Sequence, residues 1–240
     1  MQKNSLRIAL VGYGKMGKTI EKIALERGHT ISHKIGRNDN LKQINNDNTD
    51  VAIEFSLPEV AFSNLEQLMN SNIPTVCGTT GWLDKLENIH ALCLNNKCSF
   101  LYASNFSIGV NIFFNLNKTL ARSMAKLAEY GVDMQEIHHT QKLDAPSGTA
   151  ITLAEQIISE LPELDNWSLD DKEPNHIHID AQRTGDVPGT HIINYTSAID
   201  QISIKHEAFN RNGFALGAII AAEYAAKNQG ILTMNDVLNI

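Results

Sequence analysis

The run from Leu6 to Gly17 reads L-R-I-A-L-V-G-Y-G-K-M-G and decides the fold of this chain of 240 residues. Its first half is a short apolar run, which is typical of a buried parallel strand. Its second half has the spacing G-x-G-x-x-G and leads into a helical pattern, after which Thr30–Ile35 reads as another strand. In a strand–turn–helix context these glycines allow a tight turn, a close approach of backbone to pyrophosphate, and close packing of helix on strand. The stretch therefore predicts a dinucleotide-binding βαβ unit.

Strands and helices continue to alternate through the first half of the chain. The expected elements are strand Val51–Phe55, helix Glu59–Met69, strand Thr75–Cys77, a helix through Leu83 and Leu92, and strand Ser99–Ala103. This alternation predicts an α/β domain with a Rossmann-like parallel sheet. The Ala-rich helix expected at Phe214–Ala226 is predicted to pack back on this domain.

The second half reads differently. A helix is expected from Phe113 to Tyr130, and two-residue alternation appears at His176–Ile179, Ile192–Tyr195 and Ile202–His206. These strands predict an open mixed sheet, mostly antiparallel, in an α+β domain. We expect the dinucleotide-binding domain to be discontinuous, formed by residues 1–109 and 212–240, with the second domain at 110–211.

Composition limits the class of protein. The formal net charge of −7 gives no basic field for nucleic acid or an acidic membrane surface, and no apolar run approaches the roughly 20 residues that span a bilayer. The N-terminus enters a strand without a signal-peptide pattern. Three cysteines without metal-type spacing suggest reduced core thiols, so a cytoplasmic protein is expected.

The stretch from Glu136 to Ala150 carries the second motif, E-I-H-H-T-Q-K-L-D-A-P-S-G-T-A. It reads as strand, loop and helix, so that His138, His139 and Lys142 lie in the loop and Ser147–Thr149 at a helix N-terminus. Free N–H groups and the helix dipole favour an anion there. A solvated loop with a Ser or Thr helix cap is the plainer alternative. A proton donor, a positive charge and an anion site together suggest a small carboxylated substrate.

This second motif resembles the signature of the dihydrodipicolinate reductase family, E-x-H-H-x-x-K-x-D-A-P-S-G-T-A, and every defining position is present. The resemblance covers nearly the full chain. It implies reduction of the dehydrated imine of 4-hydroxy-tetrahydrodipicolinate to tetrahydrodipicolinate, in lysine and diaminopimelate synthesis, with NADPH or NADH. It also implies that 110–211 is a substrate-binding and oligomerisation domain, with a homotetramer built through its sheet. The two-domain organisation implies a closure that brings hydride donor and acceptor together. The site residues that the resemblance implies are His138 as general acid, Lys142 for charge stabilisation, and His139, Ser147, Gly148 and Thr149 for substrate binding. Whether His138 or a bound water donates the proton stays open.

The cofactor is expected to contact the glycine-rich turn and the loops G-T-T-G and N-F-S-x-G-V-N, which also resemble the family. The expected contacts are Gly12, Gly14, Lys15, Met16, Gly17, Arg37, Phe55, Gly78, Thr80, Ser104, Asn105 and Phe106. An acidic residue that binds the adenine ribose is usual where Gly36 stands. Because it is missing, Arg37, helped by Lys34, is expected to pair with a 2′-phosphate, so that NADPH is used at least as well as NADH.

Further residues leave alternatives open. Arg183, Gly185, Gly189 and His191 match the family's R-x-G-x-x-x-G-x-H stretch, and Lys205, His206 and Arg211 match its closing motif, in structural or functional roles. The pair His176 and His178 shares a strand face without a third ligand, so no metal is expected. The region Leu161–Asn175 is shorter than in longer family members.

Other classes explain less of the sequence. Another amine or imino-acid dehydrogenase would account for the glycines and a carboxylate pocket without needing the complete second motif. A dinucleotide-sensing module would not need a proton donor beside an anion site. A small DNA-binding regulator disagrees with the acidic balance.

Overall fold

The computed structural model describes residues 5–37, 39–170, 174–210 and 212–240. The strands are β1 Arg7–Val11, β2 Thr30–Ile35, β3 Val51–Glu54, β4 Thr75–Cys77, β5 Ser99–Tyr102, β6 Gly131–His138, β7 Asn166–Ser168, β8 His176–Arg183, β9 Gly189–Thr196, β10 Gln201–Ala208 and β11 Gly230–Leu232. The helices are α1 Lys15–Glu26, α2 Pro58–Asn70, α3 Leu86–Asn95, α4 Ile108–Met124, α5 Gly148–Ile158, α6 Asn212–Ala225 and α7 Met234–Leu238, with 3₁₀ turns at Leu41–Gln43 and Leu83–Lys85. None of the described helices is long and apolar enough to cross a bilayer.

The chain folds into two units, Met1–Ile108 with Asn212–Ile240, and Gly109–Arg211. The first unit contains a parallel sheet of six strands in the order β11-β5-β4-β3-β1-β2. Both faces of this sheet are covered. Ile8 and Leu10 of β1 point into a core with α1 and α6, whereas Ala9 and Val11 point into a core that Leu68 of α2 completes. The predicted Rossmann-like α/β fold is confirmed.

The strand order reverses between β1 and β3, since the chain goes from β1 outward to β2 and returns to β3 on the other side. Open α/β sheets bind their ligands at such a switch point, beyond the carboxyl ends of the strands. The prediction that the Ala-rich helix near the C-terminus packs on the first domain is also confirmed, because α6 contributes Ala215, Ala218 and Ala222 to the core shared with α1.

The second unit contains a sheet of five strands in the order β10-β9-β6-β8-β7. Strands β9 and β10 pair antiparallel with their neighbours, while β6, β8 and β7 run parallel, so the sheet is mixed rather than mostly antiparallel. The parallel pairing follows from the chain order, because α5 carries the chain from β6 back over the sheet. Helices α4 and α5 pack on one face, where Met134 of β6 meets Phe113 of α4 and Leu153 of α5 in one core.

Helix α4 differs most from its prediction, since it begins at Ile108 and ends at Met124 rather than spanning Phe113–Tyr130. The Asn105 Oδ1 atom accepts a hydrogen bond from the Ser107 amide at 2.9 Å, and this turn starts the helix early. Beyond Met124 the chain turns, yet Tyr130 still packs on the core, so its apolar spacing imitates a longer helix. The short elements β7, β11 and α7 were not predicted, because three to five residues are too few to show a period.

Candidate active site and dinucleotide groove

A groove of about 410 Å³ lies in the first unit where β1, β2 and β3 end. It is lined by Gly12 and Gly14 after β1, by Arg37 after β2, and by Phe55 after β3, which are four of the residues expected to contact a cofactor. The groove therefore coincides with the switch point of the sheet, where a ligand is expected.

Each glycine of the first motif has a separate structural reason. Gly12 has φ +94°, and a Cβ there would lie 2.0 Å from the Phe55 carbonyl oxygen. A Cβ at Gly17 would lie 2.6 Å from the Gly12 carbonyl oxygen, so this glycine allows α1 to pack against the turn. A Cβ at Gly14, in contrast, would meet nothing within 4 Å, which leaves open space at the start of the helix.

Helix α1 begins at Lys15, and its N-cap Gly14 provides no side-chain hydrogen bond. The N–H groups of Lys15, Met16 and Gly17 belong to the first turn, which has no acceptors within the helix. Together with the helix dipole, they form a site suited to the pyrophosphate of a dinucleotide. The residues present thus fit the cofactor that the sequence predicts.

The loops after β3, β4 and β5 contribute a second group of expected cofactor contacts. A Cβ at Gly78 would lie 2.2 Å from the Phe55 ring, and the rings of Phe55 and Phe106 have centroids 5.7 Å apart. Thr80 and Ser104 are exposed in their loops. Within the described part of the chain, the groove lining omits Lys15, Met16, Gly17, Gly78, Thr80, Ser104, Asn105 and Phe106.

The end of β2 carries charges of both signs. The Lys34 ammonium lies 2.6 Å from the Glu21 carboxylate and 5.3 Å from the centroid of the Tyr13 ring, so it is paired within the unit. Arg37 is exposed. Asp39 folds back toward the strand end, and its Oδ2 atom accepts a hydrogen bond from the Gly36 amide at 2.7 Å.

In the second unit, the end of β6 brings four polar side chains together. Glu136 and His138 are two residues apart on β6 and are both buried on the face that carries Met134. The expectation that His138 lies in the loop was wrong, because pairing with β8 extends the strand through it. The register pairs Glu136 with His191 of β9, and His138 with Arg183 of β8. The polar cluster is thus a continuation of the hydrophobic core along one strand.

Glu136 is the centre of this cluster. Its Oε1 atom accepts hydrogen bonds from Arg183 Nη2 at 2.7 Å and from the Ser147 amide at 3.1 Å. Its Oε2 atom lies 2.6 Å from Nδ1 of His138. Burial raises the pKa of Glu136, but hydrogen bonds from His138, Arg183 and Ser147 outweigh it and lower that pKa to about 2. Glu136 is therefore ionised at neutral pH.

The tautomer of His138 follows from this contact. An ionised carboxylate accepts but does not donate, so the 2.6 Å contact favours a hydrogen on Nδ1. The opposite nitrogen of the ring, Nε2, lies beside Gly189, where a Cβ would be 3.0 Å away, so that glycine leaves room for the ring.

His191 supports the same cluster in its neutral form. Burial, followed by the charge of nearby His138, lowers the pKa of His191 to about 3. Its Nε2 atom lies 3.2 Å from Ser147 Oγ, which also caps α5 by accepting from the Ala150 amide at 3.2 Å. The rings of His138 and His191 meet edge to face with centroids 5.2 Å apart.

The loop between β6 and α5 carries the remaining residues of the second motif. The Lys142 ammonium lies 2.8 Å from both carboxylate oxygens of Asp144, and Arg183 Nη2 donates to the Asp144 carbonyl at 2.6 Å. His139 is half-buried. Arg183 therefore joins the loop to Glu136, and the loop's lysine has a carboxylate partner.

Two further expected residues, Gly148 and Thr149, form the first turn of α5. Gly148 is exposed and Thr149 half-buried, whereas the Ser147 amide is engaged by Glu136. Of the closing motif, Lys205 pairs with Glu207 at 2.6 Å, and the His206 ring lies 6.0 Å from the Phe113 ring. Arg211 lies outside the described residues.

The atoms that could ligate a metal in Glu136, His138 and His191 all lie within 4.8 Å of one another. Their contacts indicate a different role. Arg183 already neutralises the carboxylate, and the short contact with His138 occupies its other oxygen. This donor set is accounted for by a hydrogen-bonded ion network.

The sequence reasoning left out Glu136 and gave Arg183 and His191 no defined role. Glu136 could have been predicted from the sequence, because in the pattern E-x-H on a strand the two side chains lie on the same face. Arg183 and His191 come from distant strands, and only the sheet register brings them to this cluster.

A glycine-lined groove on a parallel sheet, and a carboxylate–histidine pair near a lysine in a separate unit, define a dinucleotide-dependent oxidoreductase with two domains. Family models described as "Dihydrodipicolinate reductase, N-terminus" and "Dihydrodipicolinate reductase, C-terminus" match residues 6–106 and 109–238. The chain belongs to the dihydrodipicolinate reductase family.

Individual relatives agree. The chain is 50% identical over 234 residues to 4-hydroxy-tetrahydrodipicolinate reductase of Christiangramia forsetii, covering 98% of each chain. It is 38% identical to the reductase of the same name from Rickettsia bellii, over 93% of this chain and 90% of that one. A solved dihydrodipicolinate reductase with dipicolinate bound, from Paenisporosarcina sp. TG-14, shares the fold with a TM-score of 0.77 at 22% identity, over 97% of this chain and 98% of that one.

Proposed function

We propose that this protein is a 4-hydroxy-tetrahydrodipicolinate reductase, which reduces the dehydrated imine of its substrate to tetrahydrodipicolinate in lysine and diaminopimelate synthesis. The observation that carries the proposal is the complete second motif folded around a buried, ionised carboxylate that faces His138. A sensor or structural module has no need for such a proton donor.

The first unit would hold the nicotinamide dinucleotide, which when bound supplies the hydride for reduction. The N–H groups at the start of α1 would bind its pyrophosphate, because they face open space at Gly14. Phe55, Gly78 and Phe106, which lie together, would form the apolar wall at its reactive end.

His138 would supply the proton that reduction of a conjugated imine requires. Glu136 holds its Nδ1 hydrogen, so the protonated ring presents its second hydrogen from Nε2. The negative charge of Glu136 stabilises the protonated ring before transfer, and its low pKa keeps the carboxylate from taking that proton. Glu136 is therefore a positioning residue, and His138 the acid.

The substrate carries two carboxylates, for which the second unit offers positive charge and N–H groups. Lys142 would exchange its present partner Asp144 for a substrate carboxylate and would stabilise the charge that develops on the ring. Gly148 and Thr149 would bind a carboxylate at the start of α5, with His139 as a further contact. Ser147 would act indirectly, because its amide is held by Glu136 and its hydroxyl contacts His191.

The experiment measures the oxidation of NADH, and separately of NADPH, by the change in absorbance of the reduced nicotinamide. The substrate is made freshly from pyruvate and aspartate semialdehyde by the preceding synthase. We expect substrate-dependent oxidation, and a loss of about a hundredfold or more in His138→Gln or Lys142→Ala. His178→Gln and Lys118→Ala are matched controls elsewhere in the second unit and are expected to keep their turnover. Oxidation without dependence on this substrate would favour another imine, and near-normal turnover in both variants would remove the assigned roles.

We also propose a cytoplasmic homotetramer assembled through the sheet of the second unit. Cys77, Cys93 and Cys98 are all buried and free, as expected of core thiols in a reducing compartment. Strand β10 is an edge of the five-stranded sheet and is largely exposed in a single chain, so it would gain from a partner. Light scattering on the purified protein tests this, and a mass near 26.5 kDa would contradict it.

A further inference from the structure

Asp39 lies beside Gly36, the position after β2 where an acidic residue that binds the adenine ribose is usual. A Cβ added to Gly36 would lie 3.2 Å from Asp39 Oδ2, so this carboxylate stands where a side chain at position 36 would begin. The Gly36 amide holds it there at 2.7 Å, and both residues line the groove beyond β1, β2 and β3. The second oxygen, Oδ1, has no hydrogen-bond partner among the residues that the structure describes.

The charges near this carboxylate argue against a phosphate. Lys34, which the sequence suggested as a second cation, is paired with Glu21 and covers the Tyr13 ring. Arg37 then remains as the cation at the strand end, and Asp39 opposes it in the same groove. The 2′-phosphate of NADPH carries nearly two negative charges and would be repelled by the Asp39 carboxylate. The two ribose hydroxyls of NADH could instead donate hydrogen bonds to it.

We propose that Asp39 binds the adenosine ribose hydroxyls of the dinucleotide and makes NADH the preferred cofactor over NADPH. The inference rests on the proposed use of a nicotinamide dinucleotide. It departs from the expectation based on Gly36 and Arg37, because the carboxylate of Asp39, three residues after Gly36, is hydrogen-bonded to the Gly36 amide and so lies beside the position where an acid was expected.

Equilibrium titration of the purified protein with NADH and with NADPH tests this without substrate. We expect tighter binding of NADH by the natural chain. Asp39→Ala should weaken NADH binding about tenfold or more, because a hydrogen bond to a charged group is lost, and should leave NADPH binding unchanged or stronger. Asp39→Asn keeps an oxygen that can accept from the Gly36 amide, so the conformation of the loop should be retained. Because the negative charge is removed, the difference between the affinities for NADH and NADPH should become smaller.

Asp47→Ala is the matched control, since it removes an exposed acid from the same connection outside the groove. It should change neither affinity, and thermal unfolding should show all variants folded. An NADPH preference in the natural chain, or an equal change for both dinucleotides in Asp39→Ala, would overturn the role of Asp39 and leave the reductase proposal standing. Binding of neither dinucleotide by the natural, folded chain would overturn both.

Discussion

Replacing Glu136 with glutamine removes one negative charge from behind His138 and keeps the size of the side chain. Glu136 is fully buried, and its carboxylate contacts His138, Arg183 and the Ser147 amide. The amide oxygen of glutamine can still accept a hydrogen bond, so Glu136→Gln isolates the effect of charge on the proposed acid.

The expected size follows from the pKa of Glu136. Its fall from 4.5 to about 2 corresponds to about 3 kcal/mol in favour of the ionised form, at about 1.4 kcal/mol for each pH unit. The contacts with His138, Arg183 and Ser147 lower this pKa, and each of them loses the charge of its acceptor in Glu136→Gln. A loss of only about 1.4 kcal/mol of transition-state stabilisation corresponds to a tenfold lower rate. We therefore expect Glu136→Gln to lower kcat/KM about tenfold or more.

The assay is kcat/KM for the substrate at saturating cofactor, because its change measures the transition-state stabilisation that the charge supplies. Asp133→Asn is the matched control: it is the same change on the same strand, and Asp133 contacts Asn194 instead. Arg183 loses its charged partner in Glu136→Gln, so a lower Tm is also expected. A lower Tm with an unchanged kcat/KM would refute the positioning role and leave Glu136 as a structural residue.

Two further predictions concern His191 and Gly78. The folded-state pKa of His191, about 3, lies below its ordinary value of 6.5, so the unfolded chain binds more protons between these values and stability falls as the pH drops through this window. The free energy of unfolding should be about 2 kcal/mol lower at pH 5 than at pH 7. Urea unfolding at the two pH values should show a smaller difference in His191→Gln. An equal difference in the variant would contradict the assignment of this pH dependence to His191. Gly78→Ala places a Cβ 2.2 Å from the Phe55 ring, so the ring must move from the proposed cofactor wall. Equilibrium titration with NADH should show about tenfold weaker binding, and an unchanged affinity would contradict the role of Gly78.

The fold was largely predictable because its signals are local. The glycines of the first motif follow an apolar strand, and the central strands β1, β3 and β4 are short, largely apolar runs between helices. Errors arose where tertiary contacts, rather than periodicity, set the structure. Tyr130 has the spacing of a helical residue because it packs on the same core as α4, although the helix has already ended at Met124.

The candidate site was only half predictable for a related reason. His138 and Lys142 stand in one continuous motif, which sequence shows directly. Arg183 and His191 reach Glu136 through sheet register, and no local pattern encodes which strands become neighbours. Asp39 is a third case. It is three residues after Gly36, the position where an acid was expected, and its side chain reaches Gly36 through a turn that the strand pattern does not predict.

The position of the cluster on β6 explains how a proton donor can be held rigidly in a loop-rich site. Met134, Glu136 and His138 alternate along one face, so the strand passes from the hydrophobic core to the proposed acid within four residues. Because Met134 is locked between α4 and α5, the backbone that carries His138 is fixed by core packing. Glu136 then fixes the ring itself, and Arg183 fixes Glu136 to the Asp144 carbonyl of the motif loop. The orientation of the acid thus depends on the fold of the whole unit, while Lys142, on the loop, remains able to change its partner.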